Sequence, residues 1–468
     1  MKDDICFAGL AETAGAIRAG TWTATEVAAA ALARIEAHEP ELHAFFHFDA
    51  DLLMAQAGAA DAAQAAGAPL GPLHGVPLGL KDLVETADMP TSGGNPFLVG
   101  RRTGRDATIT RRLREAGALI AGKLATPQGA WADYPEPFIF PKNPWDAAYW
   151  PGNSSTGSGV AVAAGYVHGA IGTETGGSMR LPCAVNGVTG LKPTWGRISR
   201  AGVMELAGTL DHVCPMARSV TDVALMLQVL AGPDAADPTA AQVPVPDYAA
   251  ALDADLRGLK LGVDRDWIGK GTDAATVAMI EEAIAVLTGL GMEPVEVTLP
   301  DYPEVVDDWT LLCSVQSALA HADWYPSHAG RYGPAIAGVI EAANGISASQ
   351  YQQALTRRAV FHGRVAALMA GLAGFISPIT CYSDLTLEFY DQQIAKGDFI
   401  GMLMEFNCPF SMAQTPLLAL PGAMGQGGTP MGFQLVGGAF REAELLSIGA
   451  AFQRATDWHA HHPAFPRT

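Results

Sequence analysis

From Trp150 to Thr173 the chain reads "WPGNSSTGSGVAVAAGYVHGAIGT", without a single Asp, Glu, Lys or Arg. A stretch of this length is enough to cross a bilayer. It is crowded with Gly, Ser and Asn, however, and carries His168, so it reads as the buried interior of a water-soluble fold. Such a segment needs apolar layers on both sides. Hydrophobic residues make up 49% of the 468 residues and charged residues 16%, which provides those layers and excludes a disordered chain.

The flanking sequence supplies alternating elements. "TWTATEVAAAALARIEAHEP" places Thr23 and Glu26 at capping-box spacing before an Ala-rich helix expected to close at Pro40. "DATITRRLREAGALIAGKL" reads as a helix, a stop at Gly117 and a short strand, and Ser219 with Asp222 opens a further helix ending at Gly232-Pro233. "LKLGV", "DAATVAMIEEAIAVLTGLG" and "EPVEVTLP" form a strand–helix–strand series. Residues 305–370 read mostly helical, and "GFISPIT" and "MGFQLVG" read as buried strands. This alternation predicts the α/β class, and no fixed-period repeat is present.

Charge and cysteines narrow the function classes. The net charge of −19 argues against a nucleic-acid partner. "MKDDICFAGL" has acids at positions 3 and 4 and no apolar run, so neither a signal peptide nor a membrane anchor is expected. Six scattered cysteines without a CxxC pair fit reduced thiols in the cytoplasm.

Several chemistries fail on their own residues. Gly152 and Gly157 have Walker spacing, but Ser158 stands where a phosphate loop needs Lys. His43 and His47 share a helical spacing without an HExxH or Cys/His cluster, so no metal is expected. Around Ser178 the run Gly176-Gly177-Ser178-Met179-Arg180 lacks the closing glycine of a nucleophile elbow, and Cys183 reads as a small core residue. Two glycines before a serine do leave main-chain N–H groups bare. That suits either a backbone-held anion or an attacking hydroxyl. Lys81, in "PLHGVPLGLKDLVET", reads either as an ion-paired lysine or as a buried base.

Three motifs in order resolve these alternatives: Lys81 in "GVPLGLKD", the serine pair of "PGNSSTGSG", and Ser178 in "GTETGGSMRLP". With "GLKPTWGRISRAGV", "LDHVCPMARSVTDVALML" and "LLALPGAMGQGGTPMGFQLVGGAFREAELLSIGAAFQ", the chain resembles the amidase signature family of serine hydrolases over most of its length. The resemblance implies a single large α/β/α sandwich with a mixed, mostly parallel central sheet. Within one amidase domain, 1–468, it implies an N-terminal helical region (1–65), a signature core (70–232), a variable helical region forming the substrate pocket (300–405) and a C-terminal part of the core (406–468).

It also implies roles. Ser178 is the nucleophile, Ser154 the bridging serine on a cis peptide bond to Ser155, and Lys81 the base. Main-chain N–H groups around Thr175, Gly176 and Gly177 form an oxyanion hole, with glycine needed so that no side chain blocks the substrate carbonyl. Ser155, Glu174 and Arg180 give support, the last two as an ion pair. Gly129, Ala130, Trp131 and Tyr134 fall in the segment that lines the acyl pocket, where Trp131 reads equally as core. Trp309, Trp324, Tyr325, Tyr332, Met402 and Met404 are available to an apolar pocket.

The expected activity is acyl-enzyme cleavage of small to medium, neutral or aryl amides, extending to carbamates (urethanes) and esters, by a monomer or homodimer without cofactor. The alternatives are an amidotransferase A-like subunit, a ureido/carboxybiuret-type hydrolase and a catalytically silent binding protein. "AGKLATPQGAWADYPEPFIFPKNPWD" lacks the Gly-Lys-Thr-Asn run of the amidotransferase subunits, which weighs against a tRNA-linked role.

Overall fold

Strand side chains sort by the two-residue period of the pleat into two apolar clusters. Along Leu417–Met424, Leu417 and Ala419 enter one cluster, while Leu418 and Leu420 enter the other. A sheet covered on both faces produces this pattern. The first cluster takes the buried sides of helices Ala24–Leu42, Ala50–Ala65, Thr156–Ala163, Arg180–Asn186, Val305–Ala320 and Ala348–Met369. The second takes those of Thr108–Glu115, Val220–Leu230, Ala274–Gly289 and Glu442–Ala455. The result is an α/β/α sandwich, in a computed structural model that describes residues 2–397 and 403–464.

The sheet is built from β1 (Phe45–Phe48), β2 (Pro77–Lys81), β3 (Leu119–Leu124), β4 (Gly169–Glu174), β5 (Thr189–Lys192), β6 (His212–Ala217), β7 (Lys260–Val263), β8 (Glu293–Glu296), β9 (Gly374–Pro378), β10 (Leu417–Met424) and β11 (Pro430–Val436). Their spatial order is β1-β3-β2-β4-β6-β5-β10-β11-β9-β7-β8.

The expectation of a mostly parallel sheet is corrected here. Among the described residues, six neighbouring pairs are antiparallel and four are parallel. Parallel neighbours need a long crossover. Helix Thr108–Glu115 supplies one between β2 and β3, and Ala274–Gly289 another between β7 and β8. The centre is different. β10 and β11 are joined by a tight turn, with Gly425 N donating to Thr429 O at 2.8 Å, and form a hairpin. β4, β6, β5 and β10 continue the antiparallel pairing.

Local signals mostly act as read. Thr23 Oγ1 accepts from Glu26 N at 3.0 Å, and Thr23 N donates to Glu26 Oε2 at 2.8 Å. Ser219 Oγ accepts from Asp222 N at 3.2 Å. Helix Ala24–Leu42 does not close at Pro40, which lies inside its last turn; it ends at His43, whose φ of 54° is left-handed. Every residue from Trp150 to Thr173 except Asn153 is buried, as helix Thr156–Ala163, β4 and their connections. Among the described residues no helix is long and apolar enough to cross a membrane.

Candidate active site

Lys81 is the last residue of β2. Leu78 and Leu80 enter the second apolar cluster, so the alternation turns Lys81 to the other face, toward the start of helix Thr156–Ala163. There its Nζ meets three hydroxyls: Ser154 Oγ at 2.8 Å, Thr173 Oγ1 at 2.9 Å and Ser155 Oγ at 3.2 Å. Lys81 is fully buried. Burial disfavours the ammonium and pushes its pKa down to about 7, although Cys214, Asp211 and Glu174 pull the other way.

Proton bookkeeping fixes the direction of one of these bonds, that to Ser155. Ser155 Oγ donates to Thr173 O at 3.0 Å and accepts from Thr173 N at 3.1 Å, so its one proton is already committed. It has only an acceptor position left for Lys81. A neutral amine has two protons and one lone pair. With the protons directed at Ser155 and Thr173, the lone pair is left for the proton of Ser154.

Ser178 lies in the turn between β4 and helix Arg180–Asn186 and is half-buried. Its carbonyl accepts from Ser155 N at 2.9 Å, which ties this turn to the serine pair. The non-proline cis peptide bond joins Asn153 to Ser154, one bond before the expected Ser154–Ser155 position. Among the described residues, the N–H groups of Gly176, Gly177 and Ser178 find no main-chain or side-chain acceptor.

The structure gives the two glycines a packing reason beside the expected one. A Cβ on Gly176 would sit 2.5 Å from the Trp309 ring, and one on Gly177 would sit 2.9 Å from the Asn407 amide carbon. Gly177 also has φ of 108°. The protein's own side chains press on this loop and require glycine at both positions.

Glu174 and Arg180 form a fully buried ion pair, with Nη2 at 2.6 Å from Oε1. Glu174 also accepts from Met179 N and Arg180 N at 3.2 Å each. Burial pushes Glu174 upward; the Arg180 charge and hydrogen bonds outweigh it and hold the carboxylate below its usual range. Arg180 spends its remaining donors on Gln434 Oε1, Asn407 O and Ser411 Oγ, joining the turn to β11 and to helix Cys408–Met412.

Gly129 and Ala130 both have left-handed φ, 58° and 61°, and Gly129 N donates to Gly93 O at 2.9 Å. Ala130 lines a narrow crevice with Leu83, Thr173, Thr175, Met204 and Asp211. Trp131 is half-buried and stacks on Trp309 with centroids 5.6 Å apart. Tyr134 donates to Thr156 Oγ1 at 2.9 Å. Trp324 and Tyr332 pack around His321 and Phe97, Tyr325 packs on Tyr332, and Met404 is buried; Met402 lies outside the described residues.

Sequence reasoning missed Thr173 and Asp211, and it read Trp309 only as available to an apolar pocket. Thr173 looks like an ordinary strand threonine, yet contacts the lysine. Asp211 accepts from Thr175 Oγ1 at 2.6 Å and from the N–H groups of Leu206 and Ala207. Trp309 Nε1 donates to Thr175 O at 3.0 Å. Asp211, inside "LDHVCPM", lay within a family motif but carried no mark of this contact.

The amidase family model matches residues 26–446. The protein named "Putative amidase AmiD" of Mycobacterium tuberculosis is 40% identical over 99% of this chain and 97% of its own length. A glutamyl-tRNA(Gln) amidotransferase subunit of Chloroflexus aggregans is 36% identical, covering 97% of each chain. The peptide amidase of Stenotrophomonas maltophilia superposes with a TM-score of 0.82 at 29% identity, over 96% of both chains.

Proposed function

The chain belongs to the amidase family, and from that premise we propose that it is a serine hydrolase in which Ser178, Ser154 and Lys81 carry the cleavage of C–N bonds in small amides. Neutral Lys81 takes the proton of Ser154, which takes that of Ser178 as Ser178 Oγ attacks the substrate carbonyl carbon. The carbonyl π pair moves to oxygen, and the N–H groups of Thr175, Gly176, Gly177 and Ser178 receive that charge. Collapse breaks the C–N bond, and the proton returns along the relay to the leaving amine. Water, deprotonated the same way, then hydrolyses the acyl ester.

The observation that carries this reading is Lys81: fully buried, with Nζ 2.8 Å from Ser154 Oγ. A lysine there serves as a base at neutral pH because burial has removed the advantage of its charged form. Glu174, Arg180 and Ser155 hold the turn and the serine pair in place. Gly129, Ala130 and the half-exposed Trp131 ring are assigned to the substrate's acyl side, which favours neutral or aryl amides and extends by the same chemistry to carbamates and esters. Gly122-Lys123-Leu124-Ala125 stands in place of the Gly-Lys-Thr-Asn run, so the chain is read as a self-sufficient amidase acting in the cytoplasm, without cofactor, and not as part of an amidotransferase.

The test is a panel of anilide, primary amide, ureido, carbamate and ester substrates on purified protein, with Ser178→Ala beside it. The reading expects amide turnover that Ser178→Ala abolishes while the fold, by circular dichroism, is retained. Amide turnover unchanged in Ser178→Ala contradicts the assignment, and no turnover of any substrate favours the silent binding protein.

A further inference from the structure

One residue of the variable helical region packs directly on the glycine loop. Trp309, on helix Val305–Ala320, is buried and directs its indole N–H at the Thr175 carbonyl, 3.0 Å away. Its ring lies against Gly176 so closely that a Cβ there would be 2.5 Å from it. Behind Trp309 stacks Trp131, interplanar angle 16°, whose carbonyl accepts from Asn153 Nδ2 at 2.6 Å. The Thr175 side chain is held in turn by Asp211, which accepts from its Oγ1 at 2.6 Å.

These contacts have a consequence across one peptide plane. In a trans peptide the carbonyl of one residue and the N–H of the next point in opposite directions. The Thr175–Gly176 bond is trans, since the two cis bonds among the described residues lie elsewhere. A donor fixing the Thr175 carbonyl on the Trp309 side therefore aims the Gly176 N–H to the opposite side. That N–H is one of the groups left without an acceptor among the described residues.

We propose that Trp309 is a positioning residue for the oxyanion hole: its indole N–H, with Asp211 holding the Thr175 hydroxyl, locks the 175–176 peptide so that the Gly176 N–H is preset toward the developing negative oxygen. Trp309 touches neither the relay nor the reacting atoms in this role. The proposal rests on the hydrolase reading above and adds to it the group that aims one donor. Because Trp309 also stacks on Trp131, the same helix links the assigned acyl wall to the hole.

The test is Trp309→Phe, which keeps an aromatic ring over Gly176 and removes the N–H. Trp309→benzothienylalanine, isosteric with sulfur in place of N–H, covers the case in which the smaller ring fails to fold. Four quantities are read in each: kcat and KM for an anilide, the inhibition constant of a trifluoromethyl ketone whose serine adduct places an oxyanion in the hole, and the pH midpoint of kcat/KM. Losing an oxyanion donor outright costs about 10²–10³ in rate, so a misaimed one is expected to lower kcat about 10–100-fold. The trifluoromethyl ketone should weaken by a similar factor, while KM and the pH midpoint stay at the wild-type values. Wild-type kcat in a folded variant overturns the proposal, as does a rise in KM alone, which makes Trp309 a plain pocket wall. The wild-type control separates the two levels: normal wild-type turnover with an unaffected variant removes the clamp only, whereas a wild type that turns over none of the panel removes the hydrolase reading and the clamp together.

Discussion

An ammonium at Lys81 is shut off from bulk solvent, and three hydroxyls replace only part of the hydration it gives up. With the pKa lowered to about 7, the free base becomes the majority form above neutrality. The rate should therefore rise through pH 7 and level off, and Lys81→Ala should cost about 10²–10⁴. Thr173→Val removes an oxygen that accepts from the charged amine at 2.9 Å; this disfavours the ammonium further, so the midpoint of the pH–rate curve should move to lower pH. A midpoint that moves upward contradicts the contact's role. Stability carries the same signature. Between about 7 and the ordinary 10.5, the unfolded chain binds a proton at Lys81 that the folded one does not, so the unfolding free energy rises with pH across that window and loses this contribution as pH falls to 7. Lys192, also buried and pushed to about 7, adds a rise of the same sign. Urea unfolding of Lys81→Met across this window should show about one proton's worth less slope than the wild type; an unchanged slope means the lysine is not perturbed.

At the scale of elements, the turn between β4 and helix Arg180–Asn186 is held by pieces distant in sequence. Arg180 joins it to β11 and to helix Cys408–Met412 through Gln434, Asn407 and Ser411. Arg180→Met leaves Glu174 as a buried unpaired carboxylate, and such breakage costs about 3–5 kcal/mol. Chemical denaturation should show a loss of that size, and a loss below about 1 kcal/mol, the range of exposed pairs, rejects the buried pair as structural. The caps at Thr23 and Ser219 and the strand–helix–strand series from β7 to β8 were legible because their signals are local. The sheet's direction was not. A buried strand has the same alternation whichever way it runs, and the hairpin of β10 with β11 and the antiparallel pairing of β4, β6 and β5 are set by connections that periodicity does not encode. The glycines of the 175–178 loop were found, but not the packing that presses on them, since Trp309 and Asn407 come from elements far along the chain.

Over the whole molecule, one sheet spans both halves of the chain and brings residues 81, 154–155 and 173–178 to one place. The three motifs were legible because each is a short run of fixed chemistry. Thr173 and the contact of Trp309 with Thr175 were not, because a strand threonine and a helix tryptophan carry no local mark of what they touch. The central claim concerns the order of proton transfer behind a single nucleophile. It is tested most directly by the rate at which a fluorophosphonate labels the protein, followed by intact mass and peptide mapping from about pH 5 to about pH 9 (two units either side of the buried lysine's pKa of about 7), in the wild type and Lys81→Ala. The account predicts one adduct, on Ser178, forming faster as pH rises through about 7 and much slower in Lys81→Ala over that whole range. An adduct on another residue, or a wild-type labelling rate in Lys81→Ala, would contradict it.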